Sequence, residues 1–143
     1  MKTAIVNLGA IISGEWRDPY VKGDSILMEG GKIAAVGAVS ARDVESCGVV
    51  IAADGVTAIP GLIDSQVHNT FGDYTPRQKT VGFLESYVHG GVTTAIGASE
   101  VHVPGRPKDP AGVKALAVAA KKCFDHFRPG GMRVYAGSII LEP

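Results

Sequence analysis

Ile59-Pro60-Gly61-Leu62-Ile63-Asp64-Ser65-Gln66-Val67-His68 decides how this chain is read. The Pro-Gly pair marks a loop, and the apolar residues that follow open a strand of the buried kind. Successive side chains of a strand point to opposite faces, so Gln66 and His68 project the same way. Two side chains aimed into one space from a strand's end are how a parallel barrel presents metal ligands.

Downstream of this stretch the pattern alternates between strand and helix. Residues 62–67 form the first strand. Thr75, Pro76 and Gln78 read as a helix start, with Thr75 as N-cap, Pro76 at the first helical position and Gln78 closing a capping box. Val81, Leu84 and Val88 then fall on one helical face, and Gly90-Gly91 ends the helix. Residues 92–96, rich in β-branched side chains, predict a second strand. Asp109 caps a second helix with Pro110 at its first position. Its apolar face is Val113, Leu116, Ala117, Ala120, Phe124 and Phe127. Pro129-Gly130-Gly131 stops it, and residues 132–138 predict a third strand that 139–141 could extend. Such alternation implies parallel strands joined by right-handed crossovers.

Upstream, the pattern is one of short strands, at residues 3–6, 10–12, 25–28, 32–36, 49–52 and 56–58. Glu29-Gly30-Gly31 and Asp54-Gly55 read as hairpin turns, because glycine readily takes positive φ. Strands this short bury little by themselves and predict a small β-sandwich that leans on something else.

Composition excludes several classes. Of 143 residues, 45% are hydrophobic and 20% charged, which is globular and not disordered. Fourteen basic residues balance fourteen acidic ones, so no net field draws the chain to nucleic acid or an anionic membrane. Residues 4–13 faintly resemble a signal sequence, but Asn7 and Gly9 interrupt the run, and no stretch approaches a membrane span. Cys47 and Cys123 lack metal-type spacing and read as free thiols of a cytoplasmic protein. Neither a phosphate loop nor a nucleophile elbow is present.

Several segments together carry a family resemblance. The 59–68 stretch resembles the first barrel strand of the amidohydrolase superfamily of metal-dependent hydrolases, PG-φ-ID-x-H-x-H, with Gln66 where the first histidine stands. Residues 28–37 (MEGGKIAAVG) resemble that superfamily's N-terminal hairpin, Ala53-Asp54-Gly55 through Pro60-Gly61 its entry to the barrel, and Gly90-Gly91-Val92-Thr93-Thr94 its entry to the second strand. Residues 72–80 and 102–109 are similar to the branch that opens cyclic enamide lactams. The resemblance implies an α/β fold: a small β-sandwich segment over 1–59, then the N-terminal part of a (β/α)₈ TIM barrel, about three βα units, over 60–143. A full barrel typically needs about 250 residues. It further implies a subunit or fragment of an enzyme hydrolysing a cyclic amide C–N bond, with a second polypeptide completing the barrel in a hetero-oligomer. The family's carboxylate bridge, its other histidines and its aspartate base would come from that partner.

The expected site follows from this. His68 is the leading metal ligand, since a neutral imidazole at a strand end is a common donor. Gln66 offers a hard, neutral amide oxygen, poorer for zinc than imidazole. Three outcomes stay open for it: a single metal remains, the amide binds substrate instead, or the site is inactive. The metal is divalent, zinc first, with iron, manganese or nickel as alternatives. Tyr74, His102 and Arg106 follow the first and second strands, at the end where a barrel reads its substrate. Arg106 would hold a carboxylate in a bidentate pair. The rival reading is a non-catalytic structural or regulatory subunit in which Gln66 marks lost metal binding.

Overall fold

The computed structural model describes residues 1–69, 80–98 and 105–138. The chain divides into two compact units, Met1–Pro60 and Gly61–Pro143.

The first unit holds two small sheets. One has the order β5-β4-β1-β6, built from β1 (Lys2–Val6), β4 (Ser25–Glu29), β5 (Lys32–Gly37) and β6 (Val49–Ala52). The other has the order β3-β2-β7, from β2 (Ala10–Ile12), β3 (Tyr20–Val21) and β7 (Thr57–Ala58). Glu29-Gly30-Gly31 makes the expected hairpin: Glu29 pairs with Lys32, and both glycines have positive φ, 59° and 78°. That matches the two-residue turn whose twist suits antiparallel strands.

Asp54-Gly55 does not make the hairpin expected of it. Both residues have positive φ, and Val56 N–H donates to Ala53 O at 3.1 Å, so the local turn forms. The strands on either side nevertheless enter different sheets, β6 pairing parallel with β1 and β7 parallel with β2. The turn carries the chain from one sheet to the other. Beside it, Asn7, Leu8 and Gly9 make the same crossing between β1 and β2. Ala53 N–H donates to Val6 O, Gly55 N–H to Asn7 O and Gly9 N–H to Val56 O, at 2.8 to 3.0 Å. Two elements escaped the sequence reading: β3, only two residues long, and the short helix α1 (Ala41–Glu45). The signal for α1 was present in Ser40, whose hydroxyl accepts the Asp43 N–H at 3.1 Å.

The second unit is a three-stranded parallel sheet, order β10-β9-β8, with β8 (Leu62–Val67), β9 (Val92–Gly97) and β10 (Arg133–Tyr135). Two helices, α2 (Thr80–His89) and α3 (Pro110–His126), join its strands. α3 starts as its sequence requires: Asp109 Oδ1 accepts the Gly112 N–H at 2.8 Å, with Pro110 next in line. The residues assigned to the start of α2, Thr75 to Gln78, lie outside the described residues.

Val67, Leu84, Ala95, Phe124, Met132 and Val134 form the core between the sheet and these helices, with Phe83, Tyr87 and Val88 packed against it. The expected face of α3 is the one that packs, through Ala117, Ala120 and Phe124. On α2 the reading errs at Val81, which is exposed, while Thr80 and Leu84 are buried. The third strand is shorter than its β-rich sequence suggested, and 139–141 lie outside the described residues.

α2 offers a simple stability test. A Cβ added at Gly82 meets nothing within 4 Å, and its φ lies outside the left-handed region. Gly82→Ala is therefore expected to stabilise the second unit by about 0.5–1 kcal/mol through the lost backbone entropy of glycine. Denaturant unfolding checks it: an upward midpoint shift at constant slope is expected.

Candidate active-site strand

β8 does not pair evenly with β9. Leu62 stands opposite Val92, Ile63 opposite Thr94, Asp64 opposite Ala95 and Val67 opposite Gly97. β9 thus carries an extra residue at Thr93, and β8 carries one at Ser65-Gln66. Thr93 is the physical reason for the glycine of Pro60-Gly61. A Cβ at Gly61 would lie 2.1 Å from Thr93 Oγ1 and 2.3 Å from its Cγ2. At the second irregularity Gln66 N–H leaves the ladder and donates to Asp64 Oδ1 at 3.0 Å. Beyond it the strand is fixed again by Ala98 N–H donating to Val67 O at 2.9 Å.

The consequence is a clean alternation at the strand's end. Val67 and Asn69 are each 1% exposed, whereas Gln66 and His68 are exposed. Val67 belongs to the helix-covered side with Ala95 and Val134. Gln66 and His68 therefore belong to the opposite, open side, together as their spacing required. Ile63 at 68%, Ile96 at 43% and Tyr135 at 46% exposure also stand on uncovered positions of this sheet.

The other expected site residues divide. Tyr74 and His102 lie outside the described residues. Arg106 is half-buried and engaged in an interaction of its own. Among the described residues no group of three or more His, Cys, Asp or Glu side chains gathers as a metal cluster. The donors that fit a metal are thus one accessible imidazole and one accessible amide on the same side of one strand, which is part of a coordination sphere. His89 and His126 close α2 and α3 and stand apart from this strand end, as residues suited to helix C-termini.

Sequence reasoning passed over Arg133 and Tyr135. On β10 they flank the buried Val134, and Arg133 donates from Nη1 to Tyr135 Oη at 3.0 Å, with its guanidinium 5.8 Å from the ring centre. That hydrogen bond raises the pKa of the guanidinium from its ordinary value. Their i, i+2 spacing about an apolar residue was the available signal.

No protein-family model matches the chain. Enamidase from Eubacterium barkeri is 48% identical over 141 residues, 99% of this chain and 36% of that protein. Imidazolonepropionase from Paenarthrobacter aurescens (strain TC1) is 33% identical over 98 residues, 68% of this chain and 24% of that protein. The crystal structure of enamidase, described as a new member of the amidohydrolase superfamily, matches with a TM-score of 0.86 at 47% identity, over 99% of this chain and 37% of that one. A Xaa-Pro dipeptidase with bound methionine matches at 0.55 with 19% identity, over 94% of this chain and 32% of that one, and shares the fold alone. This chain spans little more than a third of the length of enamidase. Over 99% of its own length the chain is a homologue, in sequence and in backbone, of enamidase, a member of the amidohydrolase superfamily.

Proposed function

We propose that this chain is part of a metal-dependent amidohydrolase that hydrolyses a carbon–nitrogen bond in a cyclic amide. In this reading the second unit is the first part of a (β/α)₈ barrel, and the first unit belongs to a small β-sandwich. A second polypeptide completes the barrel in a hetero-oligomer. The observation that carries the reading is the open side of the parallel sheet, which leaves Ile63 and Ile96 in solvent beside Gln66 and His68. Parallel sheets are ordinarily covered on both faces, and exposed apolar side chains clustered on one face mark a surface that another element buries. The 48% identity to enamidase supports the choice of a cyclic amide as substrate class.

In the completed site His68 would hold a divalent metal through a ring nitrogen, and Gln66 would add its amide oxygen or turn that amide to the substrate. Zinc suits the imidazole, and iron, manganese or nickel would also accept it. A metal at such a site supplies Lewis acidity, polarising a carbonyl oxygen and making water a stronger nucleophile near neutral pH. The chain's own residues do the rest. Val67, locked in the core, fixes the strand end from which both donors project. Arg106, with Tyr74 and His102, would orient the substrate.

Co-purification tests the assembly. The tagged chain, expressed in its native host, should bring down a partner in fixed stoichiometry. A monodisperse monomer with a native-like near-UV spectrum would overturn the split-enzyme reading. The second reading, a structural subunit, is favoured by one observation, the amide at position 66 where the family motif has imidazole. It predicts that metal content and turnover of the complex ignore His68.

Among the described residues no helix is long and apolar enough to cross a membrane. A cytoplasmic setting with reduced Cys47 and Cys123 is part of the same proposal.

A further inference from the structure

We infer that Asp64 is a positioning residue: its carboxylate sets the face of β8 on which Gln66 and His68 are presented. This role needs no metal and stands apart from the proposed activity.

The register supplies the reason. From Asp64 to Val67 the chain takes three steps along β8, while the partner strand takes two, from Ala95 to Gly97. Had the pairing run on evenly from Asp64 opposite Ala95, Gln66 would stand opposite Gly97 and share its side of the sheet. Val67 would then face the open side, and His68 would face the helices. A shift of one residue in a strand sends every later side chain to the other face. The extra residue at Ser65-Gln66 is therefore what puts Val67 in the core and the two polar side chains on the open side.

A bulge leaves a backbone donor without its ladder partner, and that donor needs an acceptor. Here Asp64 Oδ1 provides it, taking the Gln66 N–H at 3.0 Å. The carboxylate is two residues back, the spacing at which aspartate folds onto its own backbone. Val67, 1% exposed, and the Ala98 N–H to Val67 O bond at 2.9 Å secure the far side. The buried Val67 and the Asp64 carboxylate thus hold the bulged register together, and neither suffices without the other.

The test reads the facing of the strand directly. In a parent with Cys47→Ser and Cys123→Ser, Gln66→Cys and Val67→Cys are made singly and labelled with a maleimide. With Asp64 intact, the thiol at 66 should react on the order of 100-fold faster than the thiol at 67, which is reached only through local opening. Asp64→Ala should bring the ratio to one or below, by turning position 67 outward and position 66 inward while circular dichroism keeps its strand and helix signals. Asp64→Asn retains the acceptor oxygen and should hold the ratio within about threefold of the parent. A residue that only stabilises the unit would speed the reaction at 67 without slowing it at 66. That outcome, an unchanged ratio in Asp64→Ala, or fast labelling at both positions with loss of the dichroism signals, overturns the assignment. Because no metal enters the measurement, its failure is distinguishable from failure of the hydrolase proposal.

Discussion

Replacing His68 by alanine is expected to lower the affinity of the assembled complex for its divalent metal by about 100-fold or more, and turnover with it. Losing an outer-shell partner of a ligand already costs roughly 10–100-fold, and His68 would itself be a ligand. It is exposed at the end of β8, between two residues that are each 1% exposed, so the truncation removes a donor without disturbing a core contact. Stability should consequently stay near the parent's while metal content falls. Metal analysis of the dialysed complex, beside a thermal melt, separates the two quantities. Gln66 gives the internal comparison. Its amide oxygen is a harder and weaker donor toward zinc than imidazole, so Gln66→Ala should cost less than His68→Ala. Gln66→His, which restores the family motif, should raise zinc affinity. Metal loading that is indifferent to all three substitutions would support the structural-subunit reading.

The second large effect is expected in the first unit, at Gly9. A Cβ there would lie 2.1 Å from Gly55 O and 2.9 Å from Gly55 C, both backbone atoms. The neighbouring bonds from Gly55 N–H to Asn7 O and from Gly9 N–H to Val56 O hold the two crossings at that spacing. No rotamer change relieves a clash between backbone and Cβ, so the crossings must separate and give up hydrogen bonds. Gly9→Ala should therefore destabilise the unit by about 3 kcal/mol or more, at or beyond the upper end of ordinary overpacking. Gly30→Ala is the control. It has open space around it and φ of 59°, so it should cost only the roughly 1–2 kcal/mol of a left-handed residue. Equal losses at the two positions would mean that the crossings yield more easily than their backbone contact implies. Denaturant unfolding of both variants measures the difference.

The two sites also mark how far the residues alone could be read. Asp109-Pro110 starts α3, Glu29-Gly30-Gly31 turns a hairpin, and Ala117, Ala120 and Phe124 face the core, because caps, turns and helical periodicity are settled within a few residues. The common direction of Gln66 and His68 was legible for the same reason. Asp54-Gly55 shows the limit. Its dihedral angles are those of a hairpin turn, yet β6 and β7 part company, since their partners β1 and β2 lie more than forty residues earlier in the chain. Val81 shows it again, because helical phase does not say where a neighbouring element ends.

By itself, the sequence determined the α/β alternation after Pro60, the kinship of the chain and the pairing of an amide with an imidazole two residues apart. Only the tertiary structure decided which side of the sheet those two groups occupy. That choice depends on how β8 slides against β9, on the Thr93 side chain against Gly61 and on the Asp64 carboxylate beneath Gln66 N–H. Residue types fix local dihedral preferences, but register is a contest between strands, settled by which side chains the core accepts.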